Sequence, residues 1–221
     1  MLAGEGSAGI IRQMEVALFL GQTALDRGEH AQAFEMFVLA ARTRHPKAVN
    51  MLGRAYERGW GVSRNVRQAM ACFHYAARKR EGWAHFNLGD LYFSGEGIAV
   101  SQQKAFSHYL AAARLGVNKA LNMLGILYEQ GVPTGISDVK IAMTYYKAGA
   151  EAGDCWGFYN MGRLALGEGK KDASASWFRE AVRYEFPGCY FALRELLEGV
   201  ADKNLQALRV EITAKIQGQC V

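Results

Sequence analysis

A small pair of residues, one apolar and one glycine, returns along the chain at a nearly constant interval. It appears as Leu52-Gly53, Leu88-Gly89, Leu124-Gly125 and Met161-Gly162, with spacings of 36, 36 and 37 residues. Self-similarity at a fixed period of this size marks a repeat architecture, and it restricts the fold more than composition can. Other marks recur in register with it. Ala48, Ala84, Ala120 and Gly157 stand four residues before the pair, and Tyr56, Tyr92 and Tyr128 follow each glycine by three, with Ala165 in the fourth copy. Glycines then punctuate each copy: Gly59 and Gly61, Gly95 and Gly97, Gly131, and Gly167 and Gly169. Alanines close it at Ala76-Ala77, Ala112-Ala113, Ala148 and Ala181.

Each unit reads as two helices. Ala48, Leu52 and Tyr56 fall at i, i+4 and i+8, the stripe of an amphipathic helix. The glycines after it suit a helix C-terminus, where a left-handed residue is needed. Asn65, Ser101 and Asp138 occupy matching positions four residues before Ala69, Ala105 and Ala142, and are N-cap types for a second helix. That helix carries an aromatic at a fixed place: Phe73, Tyr109, Tyr146 and Phe178. A glycine inside the first helix costs about 1 kcal/mol relative to alanine, so the Gly53-type position predicts close approach of the paired helix. With 25 glycines against 3 prolines, the composition suits regular turns rather than a disordered linker. One helical hairpin cannot bury its apolar face; stacked copies can.

The pattern A-x-x-x-L-G-x-x-Y-x-x-G-x-G-V, followed by K-A-x-x-W-Y-x-x-A-A, resembles the Sel-one-like repeat family, close relatives of tetratricopeptide repeats. The resemblance is good in 47–82, 83–119 and 120–156, while 157–188 is a shortened copy without the tyrosine. Residues 14–46 form a degenerate first repeat that keeps Leu20-Gly21 and Ala40-Ala41, and 189–221 hold a half-repeat and a capping helix. In that last helix Asp202 is the expected N-cap, with Leu205, Leu208, Ile212 and Ile216 on one face. Capping the last repeat is its expected role; docking on a partner or a membrane surface is the alternative. The implied fold is all-α: one repeat domain over 1–221, a right-handed α/α superhelix of about five helical-hairpin repeats with a C-terminal capping helix.

Members of this family generally serve as adaptors and scaffolds, and their first helices line a concave groove. Carried over residue by residue, that geometry nominates Lys47, Asn50, Arg54 and Glu57, then Trp83, Phe86, Asp90 and Phe93. It adds Lys119, Asn122 and Glu129, and from the shortened copy Trp156, Tyr159 and Arg163. Lys47 and Asn50 recur as Lys119 and Asn122, while Trp83 and Phe86 recur as Trp156 and Tyr159. Asparagine can both donate to and accept from a peptide backbone, lysine can meet a carboxylate, and aromatics dominate interface hot spots. The expected partner is therefore a protein or extended peptide with apolar anchors and acidic groups. Trp83 and Trp156 could instead pack as core between repeats. A scaffold for carbohydrate or envelope machinery, its aromatics stacked on sugar rings, is the second functional reading.

Other classes find less support. The formal charge is +5 with a pI near 9.0, but the basic clusters (Arg42 with Arg44, Arg78-Lys79-Arg80, Lys170-Lys171) lie near helix ends and face water. The charge therefore points away from nucleic acid. The five histidines form no H-E-x-x-H pair and the four cysteines no C-x-x-C, so neither a metal nor another cofactor is expected. Cys155 and Cys189 stand about one repeat apart and could lie near each other, with reduced thiols expected. No G-x-S-x-G elbow occurs, and Gly169-Lys170-Lys171 lacks the remainder of a phosphate loop. No catalytic residue is nominated. Met1–Ser7 has no positive segment, and the apolar stretch from Val16 to Leu20 is too short to span a bilayer, so a cytoplasmic protein is expected.

Overall fold

Residues 2–218 are described by a computed structural model, with side chains described for 8–218; Cys220 and the side chains of Met1–Ser7 lie outside the described residues. Among the described residues there are twelve α-helices and no strand. They are α1 (Leu2–Asp26), α2 (His30–Ala41), α3 (Pro46–Arg58), α4 (Val66–Arg78), α5 (Gly82–Ser94) and α6 (Gln102–Arg114). The series continues with α7 (Lys119–Glu129), α8 (Val139–Glu151), α9 (Cys155–Gly167), α10 (Lys171–Val182), α11 (Pro187–Leu196) and α12 (Lys203–Gly218).

Helix boundaries follow local chemistry. The Asn65 side chain accepts the Gln68 N–H at 3.0 Å, Ser101 that of Lys104 at 3.4 Å, and Asp138 that of Ile141 at 3.0 Å. The three cap residues expected for second helices thus satisfy orphan donors at the starts of α4, α6 and α8. The first helices α3 and α5 end on Gly59 and Gly95, at φ 73° and 71°, where only glycine is unstrained.

Two compact units divide the chain, Met1–Val117 and Asn118–Val221. In the first, α1/α2, α3/α4 and α5/α6 pair as hairpins, α2 packs on α3, α4 packs on α5, and α3 touches α5. In the second, α7/α8, α9/α10 and α11/α12 pair, α8 packs on α9, α10 packs on α11 and α12, and α7 touches α9. Each unit is thus a stack of hairpins in chain order, and the fold is an all-α solenoid.

The interior glycines have the expected cause, with a specific agent. A Cβ on Gly53 would lie 2.6 Å from the Phe73 ring, and one on Gly89 would lie 2.6 Å from the Tyr109 ring. Gly125 meets Tyr146, Gly162 meets Phe178 and Gly21 meets Phe37 in the same way. All five rings are fully buried. The helix-propensity cost of glycine is offset by letting an aromatic lie flat against the neighbouring backbone. Because Gly21 and Phe37 obey the rule, the degenerate first hairpin keeps the same joint.

The two chain ends differ. Asp202 accepts the N–H groups of Asn204 and Leu205 at 3.0 and 3.1 Å, and Leu205, Leu208, Ile212 and Ile216 are buried in the core of the second unit. This helix packs on both α10 and α11. At the other end α1 starts at Leu2, well before the expected 14, and its outer side exposes Ile10, Val16, Phe19 and Leu20. No helix among the described residues is long and apolar enough to cross a membrane.

Candidate functional site: the faces of the first helices

Register decides which side chains of neighbouring first helices meet. Asn50 and Asn122 stand three residues before their repeat glycine, whereas Asn87 and Asn160 stand two before theirs. Across the α3–α5 joint the Asn87 amide donates to Asn50 Oδ1 at 2.8 Å, and across α7–α9 the Asn160 amide donates to Asn122 Oδ1 at 2.8 Å. All four asparagines are buried. A buried amide without a partner costs about 1–3 kcal/mol, so these pairs tie successive repeats together.

In the second unit the tie extends into a network. Arg163 Nε donates to Asn160 Oδ1 at 3.1 Å, and the two guanidinium NH2 groups of Arg163 grip Glu129 at 3.0 and 2.6 Å. The Tyr146 hydroxyl donates to the same carboxylate at 2.8 Å. Burial alone would raise the Glu129 carboxyl, but the hydrogen bonds from Arg163 and Tyr146 outweigh it and hold the group below the usual range. The Tyr146 hydroxyl is pushed up, first by burial and then by Glu129.

The first unit differs at the equivalent positions. Where Arg163 stands one residue after its repeat glycine, this unit has Asp90, which accepts from the Tyr109 hydroxyl at 2.7 Å. Burial pushes the tyrosine hydroxyl up, with Asp90 adding to it. Glu57 occupies the register of Glu129 but is only 8% exposed, with its carboxylate 3.7 Å from the Arg58 guanidinium. Burial raises this carboxyl, against the pull of Arg58 and Arg54. Arg54 lies over the Trp60 ring at 5.3 Å and feels both Glu57 and Asp90. Glu57 is therefore a buried acid.

The aromatic candidates divide by exposure. Trp83 is 46% exposed and meets Phe86 edge-on at 5.6 Å; Phe86 in turn lies 5.6 Å from Tyr109. Trp156 is partly buried against the core of its unit, edge-on to Tyr159 at 5.4 Å and to Phe186 at 6.3 Å. Tyr159 and Phe93 are also partly buried, while Lys47 and Lys119 are exposed at the starts of α3 and α7. The structure thus gathers Lys47, Asn50, Arg54 and Glu57 on α3 beside Trp83, Phe86, Asp90 and Phe93 on α5. Lys119, Asn122 and Glu129 on α7 likewise stand beside Trp156, Tyr159 and Arg163 on α9.

Asn87 and Asn160 are not among the groove candidates of the repeat register; their shared position before Leu88 and Met161 is the signal in the sequence that marks them. A histidine cluster also stands outside those candidates. His85 Nδ1 lies 3.1 Å from His108 Nδ1, the His108 ring stacks on Tyr92 at 5.7 Å, and the His74 ring is 6.2 Å from that of His108. Burial, then His85, His74 and Lys104, push the His108 imidazole down to about 4. No group of three or more His, Cys, Asp or Glu among the described residues is arranged to hold a metal ion.

The Arg163–Glu129 pair is partly shielded, with 32% and 26% of the side chains exposed. Arg163→Met is expected to lower unfolding stability by about 1–2 kcal/mol, because Glu129 keeps only one strong donor. A double-mutant cycle with Glu129→Gln, read by urea melts, measures the coupling. A coupling near zero would make the pair a surface contact only.

Stacked helical hairpins that carry paired polar and aromatic residues on adjoining first helices define a repeat protein of the α-solenoid class. Residues 46–80, 84–117 and 118–154 match the Sel1 repeat model, so the hairpins α3/α4, α5/α6 and α7/α8 are Sel1 repeats. Among solved structures, a Sel1 repeat protein from Oxalobacter formigenes is similar over 95% of this chain and 88% of its own, at 24% identity and TM-score 0.74. An immunity protein from Pseudomonas aeruginosa is similar over 95% of this chain and 81% of its own, at 16% identity and TM-score 0.63. A protective antigen of uropathogenic Escherichia coli with the same repeat fold is similar over 97% of this chain and 55% of its own, at 19% identity and TM-score 0.50. No curated protein matches the chain.

Proposed function

We propose that the faces of the first helices hold an extended segment of another protein, and that the chain works as an adaptor or scaffold in a larger complex, without catalysis. The observation that carries this reading is Trp83, a tryptophan left 46% exposed and braced edge-on by Phe86. A large aromatic held rigid on a surface supplies apolar contact at low entropic cost and is the commonest hot-spot type. Lys47, in the same register one repeat earlier, is an exposed cation that suits an acidic group beside an apolar anchor. Asn50 and Asn122 have a different part: they hold the joints, so a partner's backbone is met by the groups around them. The Sel1 repeats support a protein partner over a small molecule.

Affinity capture from the native cell, followed by a measured Kd for the captured protein, tests the proposal. Trp83→Ala is expected to weaken that Kd at least tenfold, a loss of about 2 kcal/mol. Val210→Ala, on an exposed residue of the capping helix, is expected to leave it unchanged. Equal Kd values for wild type and Trp83→Ala would overturn the reading. A saturable tryptophan fluorescence response to oligosaccharide that disappears in Trp83→Ala would replace it with a carbohydrate scaffold.

A further inference from the structure

Two of the cysteines meet in the second unit, beside the groove candidates Lys119 and Trp156. Cys155 is the first residue of α9, directly after the N-cap Asp154, and Cys189 is the third residue of α11. Both thiols are free, 7% and 0% exposed, and the two side chains belong to one buried cluster, where Cys189 acts on the Cys155 thiol. A pocket of about 300 Å³ opens on Cys155, lined also by Lys119, Asp154, Trp156, Tyr184 and Phe186. Cys189 lies behind, packed in the core with Leu193, Leu197 and Phe178.

We propose that Cys155 and Cys189 form a thiol–disulfide pair, oxidised through this pocket by a low-molecular-weight disulfide such as oxidised glutathione. Cys155 is the attacking sulfur and Cys189 the resolving one. In the first step the Cys155 thiolate bonds to one glutathione sulfur, the glutathione S–S bond breaks, and one glutathione thiolate leaves and takes up a proton. In the second the Cys189 sulfur, deprotonated, attacks Cys155, displacing the second glutathione thiolate, which is protonated in turn. Two protein thiols become one disulfide, and one oxidised glutathione becomes two reduced ones.

The order of attack has a physical basis. Cys155 sits at a helix N-terminus and faces the pocket. The hydrogen bond from Cys189 lowers its pKa, Lys119 assists, and both outweigh burial and Asp154. The hydrogen bond to Cys155 and burial push the Cys189 thiol up, so it reacts only once its neighbour has been activated. Closure would tie the start of α9 to the start of α11, beside the Trp156–Phe186 edge contact.

The test treats the folded full chain with excess oxidised glutathione, in wild type and in a Cys72→Ser, Cys220→Ser background, followed by intact mass and peptide mapping. The expected product has lost two hydrogens and joins the peptides of Cys155 and Cys189. Adding Cys189→Ser is expected to stop the reaction at a stable glutathione adduct on Cys155. Adding Cys155→Ser is expected to slow modification of Cys189 at least tenfold while circular dichroism stays helical. The proposal is overturned if wild type keeps both thiols alkylatable, if both carry glutathione and never join, or if Cys189 reacts as fast without Cys155. The wild-type map decides alone should a serine variant not fold.

Discussion

Gly89→Ala is expected to lower the unfolding free energy by about 2 kcal/mol, although alanine is the better helix former. On propensity alone the change would gain about 1 kcal/mol. Against that, the new Cβ would lie 2.6 Å from Tyr109 Cε1. The ring has nowhere to go: it is 0% exposed, and its hydroxyl is fixed to Asp90 at 2.7 Å. Overpacking a filled site costs about 1–3 kcal/mol, and prying the hydroxyl from Asp90 adds about 1.5–3 kcal/mol more, as a bond to a charged group. The loss therefore exceeds the gain. Gly167→Ala, at the last residue of α9 with open space around it, is expected to have the opposite sign, a gain of up to about 1 kcal/mol. Urea melts of the two variants, run together, check both signs. A Gly89→Ala chain as stable as wild type would remove the reason given for every interior glycine.

Acidification from pH 7 to pH 4 is expected to destabilise the first unit by about 2 kcal/mol through the histidine cluster. The sign follows from proton counting. His108 has a pKa near 6.5 unfolded and about 4 folded, so between those values the unfolded chain binds more protons and stability falls as pH falls. Below the folded value the loss is complete. The full shift would correspond to about 3 kcal/mol, which partial exposure of the ring reduces through solvent screening to about 2. The groups around the ring act in the same direction. His85 at 3.1 Å and His74 are imidazoles, Lys104 is a cation, Arg78 is a further cation acting on His74, and Tyr92 stacks on the ring without a charge to offset a proton. Guanidinium melts from pH 7 to pH 4 should show this slope, and His108→Phe, which keeps the stack on Tyr92, should flatten it. An unchanged slope in that variant would assign the acid sensitivity to other groups.

What the sequence made legible was local. Hairpin register, the Asn65, Ser101 and Asp138 caps, the glycine helix ends and the apolar stripe of α12 each depend on residues within a few positions of one another. Even the close approach at Gly53 was inferable, because a helix interior tolerates glycine only for a reason. The site was legible as a set of helices, less so as a set of contacts. Asn50 was nominated for a partner, yet its oxygen is taken by Asn87, one residue beyond the equivalent Phe86. That one-residue offset reflects how adjoining helices are rotated against each other, which no single repeat encodes. Glu57 and Glu129 share a register but not an environment: Arg163 of the next repeat grips Glu129, whereas Glu57 lies buried beside Arg58 and Arg54 of its own helix. His74, His85 and His108 come from three helices, and their convergence needs the packed stack.

The asparagine joints alternate, Asn50 with Asn87 and Asn122 with Asn160, and this gives the gene a coarser grain than the hairpin. A recombination that dropped one copy would set Asn50 beside a helix carrying Met123 where Asn87 had been, stranding a buried amide. Dropping or copying two adjacent units together leaves each donor opposite its acceptor. Chains of this design should therefore lengthen and shorten by doublets, and engineered arrays built from the doublet should tolerate growth that single-copy arrays do not.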